Sequence, residues 1–327
     1  MSIEIVRDPV LTHEWHGVYK ADDLKDKPVQ VNIMGELIVL FRTKNGVHAF
    51  KDLCVHRGSA LSLGTVENDT IVCPYHGWSY DSEGKCVCIP SQSKDKKIPD
   101  RAKALPYSCR EDYGLIWVNI GEPSSFPMFH EYDDSNFRST VSGPYTVQAA
   151  APRIIENFLD FAHLMWVHNG ILGEKEFSEI PAYKVNETEH GLETEEVKIY
   201  QANAQWGGEA TSIYVKSALR PTTAKLRKTN ADSGDVVAIL INTVPIKPNL
   251  TLVHMVTSRD FSKDEATDRA FLENNALVFG QDVAILENQK PEELPLDLQA
   301  ELNHPSDQMS ISYRRWLREL GVQFGIA

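Results

Sequence analysis

Apolar and polar residues alternate along much of the first third of the chain. The segment "VQVNIMGELIVLFRTKNGVHAF" (29–50) alternates β-branched and polar residues and carries Asn45-Gly46, a signal for a tight hairpin turn. A similar pattern returns in "WSYDSEGKCVCI" (78–89), and "YGLIWVNIG" (113–121) has the composition of a closing strand. We therefore predict an antiparallel, all-β domain in the N-terminal third.

The pattern changes after the turn-rich segment "GEPSSFPMF" (121–129), where we place a domain boundary. The predicted domains comprise residues 1–125 and 126–327. Early in the second domain, "RIIENFLDFAHLMWVH" (153–168) has apolar residues at mixed helical spacings and ends before Asn169-Gly170, a helix-stop signal. This segment is predicted to be a helix.

A strand-rich middle and two further helices follow. The clearest strands are "LETEEVKIYQ" (192–201), "VVAILINTVPI" (236–246) and "LTLVHMVTSR" (250–259). Pro245 and Pro248 indicate an edge or a break in this sheet. Helices are predicted over 264–289 and 309–320, and Gly321 stops the second. An all-β part followed by a mixed part predicts an α+β fold.

Composition narrows the class of protein. Hydrophobic residues make up 42% and charged residues 24% of the 327 residues, which is typical of globular proteins. The net charge of -13 argues against a nucleic-acid-binding surface. No apolar run is long enough to span a membrane. The first residues lack the pattern of a signal peptide, so we expect a cytoplasmic protein.

All the cysteines lie in the first 110 residues. They are Cys54, Cys73, Cys86, Cys88 and Cys109. Five are too few for a disulfide scaffold at this length, and a spaced subset in a cytoplasmic chain more often binds metal. The last three have no partner spacing that demands a role, and we interpret them as structural.

Two short motifs combine cysteine with histidine. "CVH" (54–56) and "CPYH" (73–76) are separated by 16 residues, and each lies in a loop between predicted strands. Two loops of this kind can hold one centre. The donor set fits a tetrahedral structural zinc. It also fits a [2Fe–2S] cluster in which two histidines replace two cysteines on one iron.

A second group of potential ligands lies in the predicted helix 153–168. Asn157, Asp160 and His163 are spaced i, i+3, i+6 and so lie near one side of a helix. His168 is turned about 140° away from His163, so the helix must distort or end before His168 can reach the same metal. Two histidines and a carboxylate form the facial triad of non-haem Fe(II) oxygenases. Asp160 could be that carboxylate, or it could orient His163 while a distant residue supplies the ligand.

The first group of motifs resembles a known metal-binding family. "CVHRGSALS" and "CPYHGWSYDSEGKC" are similar to the two cluster-binding loops of Rieske proteins, including Pro74 after the second cysteine and Gly77-Trp78 after the second histidine. The resemblance implies that Cys54 and Cys73 hold one iron of a [2Fe–2S] cluster. It implies that His56 and His76 hold the other iron.

The second group resembles the same kind of protein. "NFLDFAHLMWVH" is similar to the Asn-x-x-Asp-x-x-His-x-x-x-x-His segment of Rieske-type non-haem iron oxygenase α-subunits. In that family the third ligand is an aspartate on a late helix. The segment "FGQDVAILENQKP" (279–291) resembles that helix, which implies that Asp282 is the third ligand. Glu287 on the same helix and Glu273 before it are competing carboxylates. Asn157 is either a neighbour of the iron or a structural amide, and Glu156 receives no role.

The resemblance covers the whole chain. It is strongest to the phthalate/vanillate-type monooxygenase branch, and the tail "HPSDQMSISYRRWLRELGV" (304–322) is similar to saxitoxin-pathway hydroxylases. It implies an N-terminal Rieske domain followed by a helix-grip, START-like catalytic domain with an antiparallel sheet. The expected reaction is hydroxylation, or oxidative demethylation, of a small organic molecule by O2 and two electrons.

The resemblance also implies how electrons travel. His76 of one subunit would hydrogen-bond Asp160 of the next, Asp160 would contact His163, and the ring would close as a homotrimer. No flavin or nicotinamide fingerprint is present, so electrons would come from NAD(P)H through a separate reductase or ferredoxin. The basic run "KDKKIPDR" (94–101) and Arg57 could steer an acidic ferredoxin, although 94–101 is as readily a solvated loop.

Other functions stay open from the sequence alone. The chain could be a dioxygenase that forms cis-dihydrodiols, an electron carrier with a docking domain, or a ligand-binding protein with a zinc-stabilised β module. Pocket residues are expected from the segment 200–280 and from the helix before His168. The acidic stretch 186–196 could attract a cationic substrate, but a solvated strand edge is the simpler interpretation.

Overall fold

The computed structural model describes residues 8–93 and 95–327. The described chain divides into two compact units, Thr12–Ser124 and Asp8–Leu11 with Ser125–Ala327. Asp8 groups with the second unit because its carboxylate accepts hydrogen bonds from the backbone N–H groups of Gln323 and Phe324, at 2.7 and 2.8 Å. The first seven residues, on which the expectation about a signal peptide depends, and Lys94 of the basic run lie outside the described residues.

The first unit is built from antiparallel strands, as predicted. They are β1 His16–Lys20, β2 Val29–Ile33, β3 Glu36–Thr43, β4 Gly46–Lys51, β5 Thr65–Glu67, β6 Thr70–Val72, β7 Ser79–Tyr80, β8 Cys86–Cys88, β9 Pro106–Asp112 and β10 Leu115–Asn119. Six of them form one sheet in the order β1-β10-β9-β4-β3-β2, and the other four form a second sheet, β5-β6-β7-β8. The connection from β4 to β5, which leads from the first sheet into the second, carries Cys54 and His56, and the connection from β6 to β7 within the second sheet carries Cys73 and His76.

The hairpin between β3 and β4 differs by one residue from its prediction. Thr43 pairs with Gly46, so the two-residue loop is Lys44-Asn45 rather than Asn45-Gly46. Gly46 has φ +119°, a conformation that disfavours a side chain, and it therefore closes the turn as the first residue of β4.

The second unit is an antiparallel sheet with helices. Its elements are α1 His130–Asp133, β11 Arg138–Val147, α2 Ala151–Leu159, β12 Val185–Thr188, β13 Gly191–Thr194, β14 Val197–Gln201, β15 Ala210–Arg220, β16 Thr223–Asn230, β17 Val236–Lys247, β18 Leu250–Arg259, α3 Glu265–Leu286 and α4 Gln308–Leu320. The strand order is β11-β18-β17-β16-β15-β13-β12, with β14 also on β15. The predicted α+β fold is confirmed.

The position of Pro245 marks where strand pairing ends on one side of β17. Pro245 pairs with Thr251 of β18, but β17 pairs with β16 only as far as Asn242. Pro245, which has no N–H to donate, therefore lies where one side of β17 is no longer paired, as the sequence predicted. No helix among residues 8–93 and 95–327 is long and apolar enough to cross a membrane.

The helix predicted over residues 153–168 is shorter than the pattern suggested. It ends at Leu159; Asp160 is extended at φ -77° and ψ 145°, and a 3-10 turn follows at Ala162–Met165. The placement of Asp160 and His163 on one side of a helix is therefore wrong. The buried Lys216 ammonium on β15 explains this ending, because it donates hydrogen bonds to the backbone carbonyls of Phe158 and Asp160.

Candidate metal centres and substrate pocket

The two cysteine–histidine loops share one backbone design. In each, a glycine four residues after the cysteine donates its N–H to the cysteine carbonyl: Gly58 to Cys54 at 2.9 Å, and Gly77 to Cys73 at 3.0 Å. Both glycines have positive φ, +72° and +70°. A Cβ at Gly77 would lie 2.9 Å from Pro90 Cγ, so both conformation and space favour glycine there.

The loops bring the four donor side chains to one tip of the first unit. Burial raises the pKa of the Cys54 thiol, which lies 3.1 Å from the Tyr80 hydroxyl and next to Cys73. The imidazoles of His56 and His76 have ring centroids 4.6 Å apart. The cysteines are buried, whereas His76 is exposed, so the histidine side faces outward.

This donor set fits an iron–sulfur cluster of the mixed cysteine–histidine type. His56 Nδ1 is buried and has no hydrogen-bond partner among the described residues, which leaves its lone pair free for a metal. Trp78 stacks on the His56 ring at 4.4 Å and 6°, and thereby fixes the plane of that ring. Tyr80 and the stacking of Trp78 are contacts that the spacing of the cysteines and histidines did not reveal. Cys86 is buried, as expected of a structural residue, but Cys88 is exposed.

A second group of ligands forms in the second unit. One ligand atom each of His163, His168 and Asp282 lies within 4.8 Å of the others. Asp282 Oδ1 is 3.0 Å from His168 Nε2 and 3.6 Å from His163 Nε2. His168 and Asp282 are buried, and His163 is only slightly exposed. The 3-10 turn after α2 supplies His163, the loop after it supplies His168, and α3 supplies Asp282.

The hydrogen bonds of the two imidazoles fix which nitrogen faces the centre. His163 Nδ1 donates to Asp160 Oδ2 at 2.8 Å, and His168 Nδ1 donates to Gln281 Oε1 at 2.8 Å. Both Nε2 atoms therefore present lone pairs toward Asp282 Oδ1, which is buried and has no donor among the described residues. Three acceptors that face one another repel unless a positive charge lies between them, so these residues fit a metal ion.

The competing carboxylates lie elsewhere. Glu287 Oε1 accepts a hydrogen bond from the backbone N–H of Gln148 at 2.9 Å, and Glu273 is exposed. Glu156, which received no role from the sequence, is buried in an ion-pair network with Arg314. Gln281 was also missed, although its position immediately before Asp282 on α3 was a usable signal.

Asp160 is not one of the three converging residues. Its Oδ2 accepts two hydrogen bonds from His163, one from the backbone N–H and one from Nδ1, each at 2.8 Å. Burial alone would raise the pKa of Asp160, but the hydrogen bonds and charge of His163 outweigh it and lower that pKa. The carboxylate is therefore held ionised in the position of an orienting group.

A pocket of about 740 Å³, counting its open mouth, lies beside this centre. Its floor is the inner face of the sheet, where alternate residues of β15, β16 and β17 point the same way. Its roof is one face of α3, with Asn157 and Phe158 of α2 at the side. The main floor residues are Tyr214, Lys216, Leu226, Lys228, Val237, Ile239, Ile241 and Met255. The pocket therefore arises from the segment 200–280 and from α2, as expected.

An open cleft of about 980 Å³ lies on the other side of the histidine. It is lined by Asp160 and shares Asn157 and His163 with the pocket. Leu302 at the cleft is fully exposed. The candidate metal centre thus lies between a mainly apolar pocket and a cleft that is open to solvent.

Two family models match the chain. A Rieske [2Fe-2S] domain covers residues 14–106, and a vanillate O-demethylase oxygenase C-terminal domain covers residues 147–323. With this order of domains, the chain belongs to the Rieske-type non-haem iron oxygenases. Members of this family carry a Rieske cluster and a mononuclear iron in the catalytic domain, and take electrons from a reductase.

Individual relatives agree with this family. The chain is 31% identical to methylxanthine N1-demethylase NdmA of Pseudomonas putida, over 95% of this chain and 89% of that protein. It is 34% identical to a vanillate O-demethylase oxygenase subunit of a Pseudomonas species, over 51% of this chain and 48% of the other. The structure of NdmA superposes with a TM-score of 0.82 at 29% identity, covering 95% and 91% of the two chains. Dicamba monooxygenase bound to dicamba shares the fold, with a TM-score of 0.80 at 20% identity and coverage of 95% and 97%.

The protein is therefore an oxidoreductase that uses O2 and two electrons to hydroxylate, or oxidatively demethylate, a small organic substrate. The electron-carrier interpretation does not account for the three ligands that converge beside the pocket. Those ligands are of the type expected for the family's mononuclear iron.

Proposed function

We propose that this chain is the oxygenase component of a system that removes a methyl group from nitrogen or oxygen of a small ring compound, or hydroxylates it. The observation that carries the proposal is the convergence of His163, His168 and Asp282 on a mainly apolar pocket. Similarity to NdmA and to vanillate O-demethylase supports demethylation in particular, because both are named for that reaction. Monooxygenation is accordingly preferred to dioxygenation.

The proposed roles follow from the contacts of each residue. Cys54 and Cys73 would hold one iron of the Rieske cluster, and His56 and His76 the other. His163, His168 and Asp282 would hold the mononuclear iron. A bound iron supplies the activation of O2, with the balance R–H + O2 + 2e⁻ + 2H⁺ → R–OH + H2O. A hydroxylated N-methyl or O-methyl group then leaves as formaldehyde.

The protein's own residues would position the substrate. The sheet floor and the α3 roof hold the ring by apolar contact and exclude water from the reacting carbon. Asn157 lines the pocket beside His163, where its amide can orient the substrate or a bound water. Asp160 and Gln281 keep the two imidazoles in the tautomer that presents Nε2 to the metal.

We also propose that the chain works as a homotrimer with a head-to-tail electron path. His76 is exposed at the tip of the first unit, and Tyr75 beside it is 64% exposed, which suits a tip that docks on another subunit. Asp160 lines the open cleft of the second unit, where a neighbour's His76 could reach it. Such a contact repeats from subunit to subunit and closes as a ring.

The remaining assignments complete the proposal. Domain limits of 1–125 and 126–327 bracket the two matching family models.

The electron donor would be an NAD(P)H-dependent reductase or a ferredoxin, and Arg57 in the first cluster loop would contact an acidic partner. Within the 94–101 run, Lys97 is paired with Asp100 at 3.0 Å, so Arg57 is the stronger candidate. None of the five cysteines forms a disulfide in the described structure, which fits a reducing, cytoplasmic location.

The test is an Asp282→Ala substitution measured for iron content and for formaldehyde release from methylated ring compounds. We expect loss of one iron per chain with the Rieske visible spectrum unchanged, and loss of product. Glu287→Ala is the matched control, because it removes a carboxylate from the same end of α3 without touching the centre. An Asp282→Ala protein that retains its mononuclear iron and its activity contradicts the ligand assignment.

A further inference from the structure

One charged group in the pocket has no charged partner. Lys228 of β16 is 2% exposed and lines the pocket floor. Its ammonium lies 3.3 Å from Gln205 Oε1 and over the rings of Trp206 and Tyr214, at 5.0 and 5.7 Å from their centroids. Within the described part of the chain, no carboxylate lies within ion-pair distance of it. Burial of an unpaired ammonium is unfavourable, so this arrangement requires an explanation.

The other buried lysine of the pocket is already used. Lys216 donates to the carbonyls of Phe158 and Asp160, and lies over the Phe161 ring. Burial lowers the pKa of Lys216 to about 8, although the charges of Asp160 and Asp282 raise it. Burial lowers the pKa of Lys228 to about 7 with no such compensation. Lys216 therefore has a structural role, whereas Lys228 lacks a negatively charged partner.

The register of the sheet places Lys228 away from the metal centre. Lys216 pairs with Leu226, and Tyr214 pairs with Lys228, so Lys228 is one row further along the same face. Two residues of a strand span roughly 7 Å. Lys216 lies next to Asp160 and the metal ligands. Lys228 lies in the neighbouring row, where it pairs with Val237 of β17. Leu226 and Ile239 belong to the row of Lys216, so they lie on the side of Lys228 that faces the metal centre.

We propose that Lys228 binds an anionic oxygen group of the substrate, so that the enzyme acts on an organic acid. A carboxylate, or a comparable oxyanion, would pair with Lys228 at one end of the pocket. The apolar body of the same molecule would cover Leu226 and Ile239, and the carbon to be oxidised would lie at the metal centre. This inference rests on the proposed function, because it takes His163, His168 and Asp282 as the oxidising end.

Two further donors lie close to Lys228. The indole N–H of Trp206, whose ring faces the Lys228 ammonium, is buried and has no acceptor among the described residues, and Gln205, which lines the pocket, carries an amide that can turn its NH2 toward an oxyanion. A desolvated ammonium in a mainly apolar pocket forms a stronger charge-assisted hydrogen bond than one in water. The pocket is therefore selective for a charged group over a neutral group of the same shape.

The experiment compares acids with their own neutral partners on the purified, intact protein without reductase. A panel of methylated aromatic and heteroaromatic carboxylates and sulfonates is titrated by calorimetry, each against its amide or sulfonamide. The first pair is 4-methoxybenzoate and 4-methoxybenzamide. For at least one pair, we expect the acid to bind tenfold or more tightly than the amide. In Lys228→Met this ratio falls to about one, with the affinity for the amide changed less than threefold.

Lys225→Met is the matched control. Lys225 lies on the same strand but on the opposite face, 3.8 Å from Glu131, and its removal should leave the acid-to-amide ratio unchanged. Lys228→Arg should retain a preference for the acid. The proposal is overturned if no acid in the panel binds more tightly than its neutral partner, or if Lys228→Met keeps the preference. These titrations need no turnover, so a failure of the iron assignment, seen as retained metal in Asp282→Ala, is read separately.

Discussion

At the scale of single residues, one oxygen atom of Asp160 holds both the backbone and the side chain of His163, and we propose that the same carboxylate takes part in electron transfer. Its Oδ2 accepts the backbone N–H of His163 and also its Nδ1–H, so it fixes the turn and the imidazole together. The same carboxylate lines the open cleft, where an exposed histidine from another subunit could reach it. Neither role requires Asp160 to bind the metal.

Asp160→Asn separates these roles. The amide oxygen can still accept from His163, so both metals should be retained, but the charge and the second acceptor are lost. We expect steady-state product formation to fall roughly 10–100-fold, with iron content and the visible spectrum unchanged. The readout is single-turnover product formation by the pre-reduced protein. Unimpaired single turnover would rule out Asp160 as the link between the centres.

Lys228 predicts a dependence of stability on pH. An unfolded lysine has a pKa near 10.5, and burial lowers the folded pKa to about 7, so the unfolded state binds more protons between these values. The ammonium therefore destabilises the fold most below pH 7, and the penalty shrinks as pH rises toward 10. Lys228→Met should raise the free energy of unfolding by on the order of 4 kcal/mol at pH 6, and by much less at pH 9.

The measurement is denaturant unfolding of both proteins across pH 6–9. Tyr214 and Lys216 share the face with Lys228 and are present in both proteins, so their contributions cancel in the difference. A Lys228→Met protein that is less stable than wild type at pH 6 would show that Lys228 is a structural residue with a stabilising partner.

The candidate metal ligands could be predicted from the sequence, but the residues that contact and orient them mostly could not. Cysteine and histidine at short spacings marked the first centre, whereas the choice of a [2Fe–2S] cluster and the ligand set of the second centre, Asp282 included, came from the resemblance to a known family. Lys228 lies in "TAKLRKTN", which looks like an exposed strand, although its parity with Ala224 and Leu226 places it on their face. This alternation indicates which residues share a face with Lys228, but only the folded sheet shows that this face is buried.

At the scale of elements, long-range contacts set the ends of helices. No glycine, proline or asparagine follows Leu159 to stop α2, so its end could not be predicted locally. The stop comes from Lys216, on a strand more than fifty residues downstream, whose ammonium takes the carbonyls that the helix leaves open. Because α2 ends at Leu159, the chain can bring His163 and His168 together beside Asp282, which a continuous helix would prevent.

A buried ion-pair network joins α2 to α4. Arg314 donates to both carboxylate oxygens of Glu156, the second at 2.8 Å, and also to Glu301. Burial raises the pKa of Glu156, and the hydrogen bonds and charge of Arg314 offset only part of that rise. Arg314→Met would leave the buried Glu156 without its two hydrogen-bond donors and with only Arg153, at 3.7 Å, as a cationic neighbour, and we expect a loss of about 3 kcal/mol of stability.

The loss of stability in Arg314→Met should increase as the pH rises. Without Arg314 the folded pKa of Glu156 rises further, so the folded state holds a proton that the unfolded state releases, and stability falls as pH rises. The deficit of Arg314→Met should therefore be larger at pH 8 than at pH 5. Urea unfolding at both pH values checks this, and adding Glu156→Gln should recover part of the deficit. An equal loss at both values contradicts the ionised pair.

At the scale of the whole molecule, the two centres need a path between them. The proposed cluster ligands lie in the first unit and the proposed iron ligands in the second; His76 is exposed to solvent, and Asp160 lines an open cleft. Complementary open faces on one chain favour a head-to-tail assembly, because each face can be covered by the other face of a second copy. We expect a mass in solution three times that of the 36.8 kDa chain.

Mixed trimers test whether electrons cross between subunits. One variant, Cys73→Ser, would lack the cluster but keep the iron site; the other, Asp282→Ala, would keep the cluster but lack the iron. Neither alone should form product. In a ring with both, each mixed trimer has one interface of three at which an intact cluster precedes an intact iron site, so trimers that contain both chains should show roughly a third of wild-type activity.

Recovery of activity in mixed trimers requires that electrons pass from the cluster of one chain to the iron of another. If each cluster served the iron of its own chain, no mixed trimer would contain a working pair, and co-expressed variants would be as inactive as the separate ones. Recovery after co-expression of differently tagged chains, purified through both tags, therefore distinguishes the two paths. Adding Asp160→Asn to the Cys73→Ser chain should abolish the recovery, because that chain supplies the only intact iron site. The same substitution in the Asp282→Ala chain should leave the recovery unchanged, since its Asp160 lies beside a site that holds no iron.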